Sequence, residues 1–176
     1  MALQKFILVI GLSSLLLSSL LLSSLSAQVQ PPPGWRFPNK NDVKDDWEAY
    51  KSPAHVVADF NGDGLQDEAW ILLRQNNQGW GVFVFLGTKQ GAPQIIKLVA
   101  PPQAWPAQRF GISLAQPSRK NWKTVCGKGY YVCKPGEPEE IQITLPSIEF
   151  CYIDSACSVY MWNVKANAFS KYQMSD

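Results

Sequence analysis

Residues 55–73 read HVVADFNGDGLQDEAWILL. Residues 55–58 and 69–73 are mainly apolar, and the segment between them contains Asn-Gly and Asp-Gly. Those dipeptides are the strongest short-range signals for a tight turn between two antiparallel strands. The stretch therefore predicts a strand, a turn and a second strand, which favours an antiparallel β fold.

Oxygen-bearing side chains are regularly spaced through this turn. Asp59, Asn61, Asp63 and Asp67 stand at alternate positions or four apart, and Leu65 offers its backbone carbonyl between them. A hard cation such as Ca²⁺ takes about six to eight oxygen ligands, several of them anionic. Residues 59–67 therefore predict a calcium loop. The alternative is a plain β-turn, which does not need four spaced oxygen donors.

Two glycines and one tryptophan define the type of loop. Gly62 and Gly64 permit the sharp chain reversals that point oxygens inward. An EF-hand is excluded because its final position requires a bidentate glutamate, and Trp70 stands there. The flanking segments are also of strand type, so we expect calcium to bind between two strands.

Further strand patterns occur along the chain. Residues 81–86 (GVFVFL) and 94–99 (QIIKLV) are short apolar runs, and apolar residues alternate with polar ones over 141–145. Residues 159–164 and 168–174 predict a final hairpin. The fold class is therefore mainly β, a small antiparallel fold of about eight strands.

A single short helix is predicted near the N-terminus, over residues 42–51. Asn41 or Asp42 would cap it, and Pro53 would end it. Trp47 and Tyr50 lie three residues apart, so we expect both on one buried face of the helix.

The first 27 residues carry the pattern of a secretory signal peptide. Lys5 precedes an apolar stretch over residues 6–22, and small residues follow up to Ala27. Cleavage is predicted after Ala27 or after Ser26, and a retained membrane anchor is the alternative. Residues 28–40 are a Pro-rich arm, with Trp35 and Phe37 as points of attachment, and residues 41–176 form a single β domain of ordinary size.

Charge and cysteines narrow the function classes. The chain has 16 basic and 14 acidic side chains, and cleavage removes only Lys5, so the mature protein is close to neutral and predicts no nucleic-acid partner. All the cysteines follow the signal peptide, which predicts two disulfides in an oxidising compartment. Of the three possible pairings we favour the local one, because each pair brackets a short segment: Cys126–Cys133 and Cys151–Cys157.

The residue types favour binding over catalysis. His55 is the only histidine, so a Ser-His or Cys-His pair requires it, and its place in a strand favours a structural role. Tryptophan and arginine are the types most often found as interface anchors. In Pro-rich or polar segments they occur at Trp105, Arg119 and Trp122, which we predict to bind a partner. A carbohydrate-binding module is the alternative, because tryptophans also stack on sugars.

Residues 57–72 (VADFNGDGLQDEAWIL), with GVFVFLG at 81–87 and Gly91, resemble one FG-GAP repeat of the integrin-type β-propeller. In that family the motif D-x-[DN]-x-D-G-x-x-D binds calcium between two strands of a blade. The resemblance implies a propeller-like fold and a ligand set at the positions of the predicted loop: Asp59, Asn61, Asp63, Leu65 and Asp67. A propeller repeats the loop in successive blades, whereas this chain carries it once.

A second resemblance covers most of the mature chain. The calcium loop, CGKGYYVC at 126–133, EPEEIQI at 137–143 and the ending at 160–176 are similar to a group of small proteobacterial periplasmic proteins. Some propeller-like relatives are immunity proteins that block peptidoglycan-cleaving effectors. The resemblance implies a periplasmic or secreted calcium-binding protein that acts as an inhibitor of an envelope protein, such as a peptidoglycan hydrolase. After signal cleavage we expect no membrane association.

Overall fold

The computed structural model describes residues 29–51, 54–100 and 105–175. The predicted signal peptide at 1–27 lies outside these residues, as does Pro53. The elements in chain order are β1 (Trp35–Arg36), α1 (Asp46–Ala49), β2 (His55–Ala58), β3 (Asp67–Arg74), β4 (Trp80–Leu86), β5 (Gln94–Val99), a 3-10 helix (Ala107–Arg109), β6 (Phe110–Ala115), β7 (Asn121–Lys123), β8 (Glu140–Gln142), β9 (Ser147–Tyr152), β10 (Cys157–Asn163) and β11 (Ala168–Gln173).

The strands form three antiparallel sheets. The first has the order β1-β3-β4-β5, and β2 pairs with the same edge of β3 as β1 does, nearer its start. The second has the order β11-β10-β9-β6. The third is a two-stranded ribbon of β7 and β8. The prediction of a mainly β, antiparallel fold with one short helix is confirmed.

The first two sheets pack against each other through one face each. Side chains at alternate positions of β3 and β4, such as Ile71 and Val84, share a buried cluster with Ile112 and Ile148 of the second sheet. The alternation places the intervening side chains on the opposite face of the first sheet. β4 is buried along its whole length because both of its faces are covered, as its apolar run predicts.

The N-terminal arm covers that opposite face. Trp35 packs edge-on against Phe83, with ring centroids 4.7 Å apart, and Phe37 lies 4.5 Å from Trp70. Trp35 is buried in a second cluster with Phe83 and Phe85. The arm therefore contributes a strand and a tryptophan to the first sheet, and the expected attachment through Trp35 and Phe37 is present.

The predicted helix is much shorter than expected. Only Asp46–Ala49 is helical, because Asp45 has a positive φ of 53° and interrupts the backbone just before the helix. Asp42 does not cap it but accepts hydrogen bonds from Arg36 at 2.7 and 2.9 Å. Trp47 is buried, whereas Tyr50 is exposed and donates a hydrogen bond to Asp154, so the expected burial of Tyr50 is wrong.

The second half of the chain holds more strands than its pattern indicates. β6 and β9 have no clear signal in the sequence, although β9 is an inner strand of the second sheet and β6 is one of its edges. The predicted strand over 141–145 is only Glu140–Gln142. The predicted final hairpin is confirmed as β10 and β11, with Asn163 opposite Ala168.

Candidate calcium loop and binding groove

The loop between β2 and β3 is organised by Asp59. Its Oδ1 accepts the N–H groups of Gly62 at 2.7 Å and Asp63 at 3.1 Å, and its Oδ2 accepts that of Gly64 at 2.8 Å. Both glycines have positive φ, 76° and 83°, which a residue with a side chain rarely adopts. A Cβ at Gly62 would also lie 3.3 Å from the Leu145 side chain. The loop is therefore tightly turned around one carboxylate.

The middle of the loop repeats this arrangement. Asn61 accepts the Asp63 N–H at 3.0 Å through Oδ1 and donates to Asp63 Oδ2 at 3.0 Å. Asp63 in turn accepts the Leu65 N–H at 2.8 Å through Oδ1. Side-chain oxygens thus turn towards the loop backbone at three successive alternate positions.

Asp67 closes the loop from beneath. It is fully buried, and it accepts the Phe60 N–H and the Gly87 N–H, each at 2.8 Å. Burial raises the pKa of Asp67, the two N–H bonds lower it, and the charges of Asp63 and Asp59 raise it further. The carboxylate of Asp67 therefore lies in the same negative field as the exposed part of the loop.

The donor set fits a hard cation. A carboxylate offers about four lone-pair sites and an amide oxygen about two, so the hydrogen bonds described above leave each of Asp59, Asn61, Asp63 and Asp67 with acceptor capacity. Three carboxylates in one loop also supply the negative charge that Ca²⁺ prefers. These four side chains and the Leu65 carbonyl would hold the ion, which would supply electrostatic cross-linking.

Outside the loop, one group of acidic and cysteine side chains lies close together. Within the three described ranges, only Glu149, Cys151 and Cys157 bring three such ligand atoms within 4.8 Å of one another. Both cysteines are disulfide-bonded, so neither is available as a thiolate ligand. The three loop carboxylates do not all lie within that distance of one another.

Both disulfides are present with the favoured pairing. Cys151–Cys157 links directly opposed positions of β9 and β10. Cys126–Cys133 closes a loop of turns between β7 and β8. No cysteine of the described residues has a free thiol.

A groove of about 870 Å³ lies between the outer face of the second sheet and the β7–β8 ribbon. Its apolar lining includes Ile143, Val159 and Met174, which belong to a third buried cluster. Trp122 stands directly opposite Ile141 in the ribbon, so the two side chains are on the same face of it. Ile141 is buried, but Trp122 remains 45% exposed and forms part of the wall.

Charged side chains surround this apolar floor. Lys120, Lys123 and Lys128 line the groove, and the Lys120 Nζ lies 5.7 Å from the centre of the Trp122 ring. Glu140 and Glu149 also line it, but each carboxylate accepts a hydrogen bond, from Asn121 Nδ2 at 3.1 Å and Ser113 Oγ at 2.7 Å. The lining thus has three cations for two carboxylates.

The three predicted partner-binding residues do not form one surface. Trp122 lines the groove, and it lies on a strand rather than in a loop. Arg119 is exposed in the bend before β7 and is not part of the groove lining. Trp105 lines a different cavity, where its carbonyl accepts the Trp80 Nε1–H at 2.7 Å and its ring packs on Phe110.

His55 is held in the first sheet by its neighbours. Its ring stacks on Trp70 with centroids 3.7 Å apart, and its Nε2 lies 3.0 Å from Glu68 Oε2. Burial lowers the pKa of His55, and the charge and hydrogen bond of Glu68 oppose that shift. The same Glu68 oxygen accepts the Trp70 indole N–H at 2.8 Å, so the three side chains form one packed unit.

Two features of these sites have no clear signal in the sequence. Gly87 is required because a Cβ there would lie 2.5 Å from the Gln66 carbonyl oxygen. Glu149 reaches the groove only because β9 pairs with β6, which places it opposite Ser113. In the sequence, only the position of Gly87 directly after an apolar run hints at the close approach there. Nothing near Glu149 in the sequence indicates that it lines the groove.

Among the described residues, no helix is both long enough and apolar enough to cross a membrane. The two disulfides are typical of proteins that fold in an oxidising compartment. Comparisons with known protein families, curated proteins and solved structures find no match to this chain.

Proposed function

We propose that this chain is a periplasmic or secreted calcium-binding protein that acts as a binding or inhibitor module for an envelope protein. A peptidoglycan hydrolase is the first candidate for that partner, in the manner of an immunity protein. The groove beside Trp122 is the observation that carries the proposal. Its size and apolar floor support a recognition role, and it presents a half-exposed tryptophan beside cations.

The charge of the groove supports an acidic partner. Asn121 and Ser113 already engage the two glutamates, whereas Lys120 and Lys123 make no ion pair within the described ranges. Segments of a partner that carry carboxylates would find cations at the rim and an indole on the wall. Such complementary charge speeds encounter and fixes orientation.

Calcium has a structural role in this proposal. The loop follows β2 and precedes β3, and Asp67 ties it to the end of β4 through Gly87. An ion at Asp59, Asn61, Asp63, Leu65 and Asp67 would hold this end of the first sheet together. The groove belongs to the second sheet, so calcium would act on recognition only through stability.

A cell-wall glycan is the second candidate ligand. Trp122 is the observation that favours it, because an exposed indole beside the hydrogen-bonding side chains of Ser118 and Asn121 suits a sugar ring. A glycan would stack on the indole, whereas a protein partner would also use the rim lysines. The two ligands therefore predict different responses to substitution of those lysines.

The test measures peptidoglycan hydrolysis by a purified muramidase and a purified amidase with and without the mature protein. It also measures sedimentation of the protein with peptidoglycan sacculi. Inhibition that Trp122→Ala weakens by about tenfold, the loss of an interface anchor, supports a protein partner. Sacculus binding that Trp122→Ala removes and Lys123→Ala spares supports the glycan. The groove has neither role if neither activity depends on Trp122.

Lys165→Ala is the matched control for Lys123→Ala. Lys165 is an exposed lysine in the turn between β10 and β11, outside the groove lining. Both variants remove one positive charge, so only the first should weaken binding if the rim lysines contact the partner. Equal effects of the two substitutions would mean that the lysines act only through the net charge of the protein and do not contact the partner.

A further inference from the structure

The loop closed by Cys126 and Cys133 carries three consecutive exposed residues with large apolar side chains. Tyr130 is 64%, Tyr131 40% and Val132 90% exposed. They are consecutive, and the residues on both sides, from Lys128 to Glu137, are exposed apart from half-buried Cys133. We call residues 130–132 the loop tip. Contiguous exposed apolar side chains of this kind mark contact surfaces.

The tip is held in place by the loop beneath it. The disulfide joins its two ends, and the Lys128, Gly129 and Tyr130 N–H groups donate to carbonyls at residues 124–126. The Lys128 ammonium donates to the Met174 carbonyl, which anchors the loop to the end of β11. Little chain entropy is therefore lost when the tip contacts a surface.

The segment of chain that leads into and through the tip carries charge of one sign. Residues 119–134 contain five basic side chains and no acidic one. The nearest acid, Glu137, accepts the Lys134 N–H at 3.0 Å through its carboxylate. The tip therefore lies between Lys128 and Lys134 in a purely cationic segment.

These features favour a lipid surface over a protein cleft. Specific protein recognition combines charges of both signs with directed hydrogen bonds. Between Lys128 and Lys134 the only polar groups on side chains are the tyrosine hydroxyls, apart from the disulfide. Tyrosine prefers the interfacial region of a bilayer, and lysine is attracted to anionic headgroups.

We infer that the loop tip docks reversibly on anionic phospholipid, with Val132 and Tyr130 in the interfacial region and Lys134 at the headgroups. One such contact is weak, so the protein would exchange between the surface and solution. This peripheral contact goes beyond the proposed function, and it departs from the expectation of no membrane association after signal cleavage. Lys128 also lines the groove, so docking would hold the groove near the bilayer.

The test is co-sedimentation of the mature, disulfide-bonded protein with phosphatidylglycerol–phosphatidylethanolamine vesicles and with phosphatidylcholine vesicles. We expect partitioning to the anionic vesicles only. Raising salt from about 0.1 M to about 1 M, which shortens the screening length from about 10 Å to about 3 Å, should release the protein. Val132→Asp should lower the partition coefficient about tenfold or more, because it places a charge at the docking point.

Val164→Asp is the matched control. Val164 is 74% exposed and lies beside Lys165, so the substitution makes the same change in net charge. It lies at the opposite end of the β10–β11 hairpin from Met174, about 20 Å away along the strands. Val164→Asp should leave the partition coefficient nearly unchanged, and Tyr130→Ser should lower it as Val132→Asp does.

Three results would overturn the inference. The first is no partitioning to the anionic vesicles, and the second is equal loss in Val132→Asp and Val164→Asp, which would leave only net charge. The third is binding to the purified hydrolase that Val132→Asp removes while vesicle binding persists. That last result would assign the tip to a protein partner. None of these outcomes depends on Trp122, so failure here is distinguishable from failure of the proposed function.

Discussion

Asp67 joins the loop at residues 59–67 to the first sheet through two hydrogen bonds. It is fully buried, yet its two oxygens are each satisfied by a backbone N–H, from Phe60 and Gly87. In the exposed turn, both oxygens of Asp59 likewise accept backbone N–H groups, from Gly62 and Gly64. Single carboxylates therefore shape this loop, and a cation would offset the repulsion that their shared field creates.

The first residue-scale prediction concerns calcium. Asp63→Ala removes one carboxylate from the middle of the loop. We expect calcium at about a hundred times its Kd to raise the free energy of unfolding of the natural protein by about 2.7 kcal/mol and to lose most of that effect in the variant. Thermal unfolding in EDTA and in millimolar calcium measures the difference. Glu48→Ala, an exposed acid on α1, is the charge-matched control and should respond as the natural protein does.

The second residue-scale prediction concerns Tyr160. Burial in the cluster between the two sheets raises the pKa of Tyr160 to about 12. The folded state therefore retains the phenol proton that the unfolded chain loses near pH 10, so stability is complete below about pH 10 and falls as the pH rises towards about 12. At about 1.4 kcal/mol per unit, the loss is about 2 to 3 kcal/mol.

Denaturant unfolding over this alkaline range measures that loss. Tyr160→Phe cannot ionise, so its stability should fall by correspondingly less between the two pH values. Parallel curves for the natural protein and the variant would show that Tyr160 does not contribute to alkaline unfolding.

At the scale of elements, short strands contribute side chains to the buried clusters that the longer strands form. β1 contains two residues, but it places Trp35 over Phe83 and under the Arg74 guanidinium, whose carbon lies 4.1 Å from the ring centre. The β7–β8 ribbon contributes Ile141 to the third cluster while leaving Trp122 half exposed. Trp35 is therefore part of a core, whereas Trp122 lies at the surface.

The element-scale prediction compares these two tryptophans. Trp35→Ala should lower the free energy of unfolding by about 3 to 5 kcal/mol, because it opens a cavity under the arm. Trp122→Ala should change it by less than about 1 kcal/mol, because nearly half of that side chain is already in water. Chemical denaturation of both variants decides the point. Equal losses would mean that Trp122 belongs to the core and would remove it from the candidate site.

At the scale of the whole molecule, the described residues contain little helix, and the fold is stabilised by two disulfides and by packing on both faces of the first sheet. The bridges lie in the second half of the chain, on the second sheet and on the loop between β7 and β8. Each closes a short loop, with cysteines separated by 7 and 6 positions. The first sheet has no such link and depends on burial and on the loop at residues 59–67.

The whole-molecule prediction concerns reduction. By the chain-entropy model each bridge contributes about 2 to 3 kcal/mol, out of a total stability of about 5 to 15 kcal/mol for an ordinary domain. Paired Cys→Ser variants should therefore each lose about that amount, measured by denaturant unfolding. Mass spectrometry without reductant should find two hydrogens fewer per bridge than in the reduced chain. A detectable free thiol in the folded protein would contradict the pairing.

The local parts of this protein follow from the sequence alone. Turn chemistry at residues 59–67 predicts the β2–β3 hairpin, the apolar run at 81–86 predicts a fully buried β4, and the short cysteine spacings favour the observed disulfides. Each depends on residues that are close in the chain, so neighbours suffice to specify it. The calcium and partner predictions stay predictions, because they concern molecules outside the chain.

Only the tertiary structure decided the features that depend on distant pairing. β6 and β9 have mixed patterns and become strands because they pair with each other and cover the first sheet. The predicted 42–51 helix is reduced to Asp46–Ala49 because Asp45 has a positive φ, and Asp42 is held by Arg36 on β1 instead of capping the helix. Trp122 and Trp105 line different cavities, although both lie in polar or Pro-rich stretches of the sequence. Their surroundings are set by strands far away in sequence, and burial among such partners outweighs local propensity.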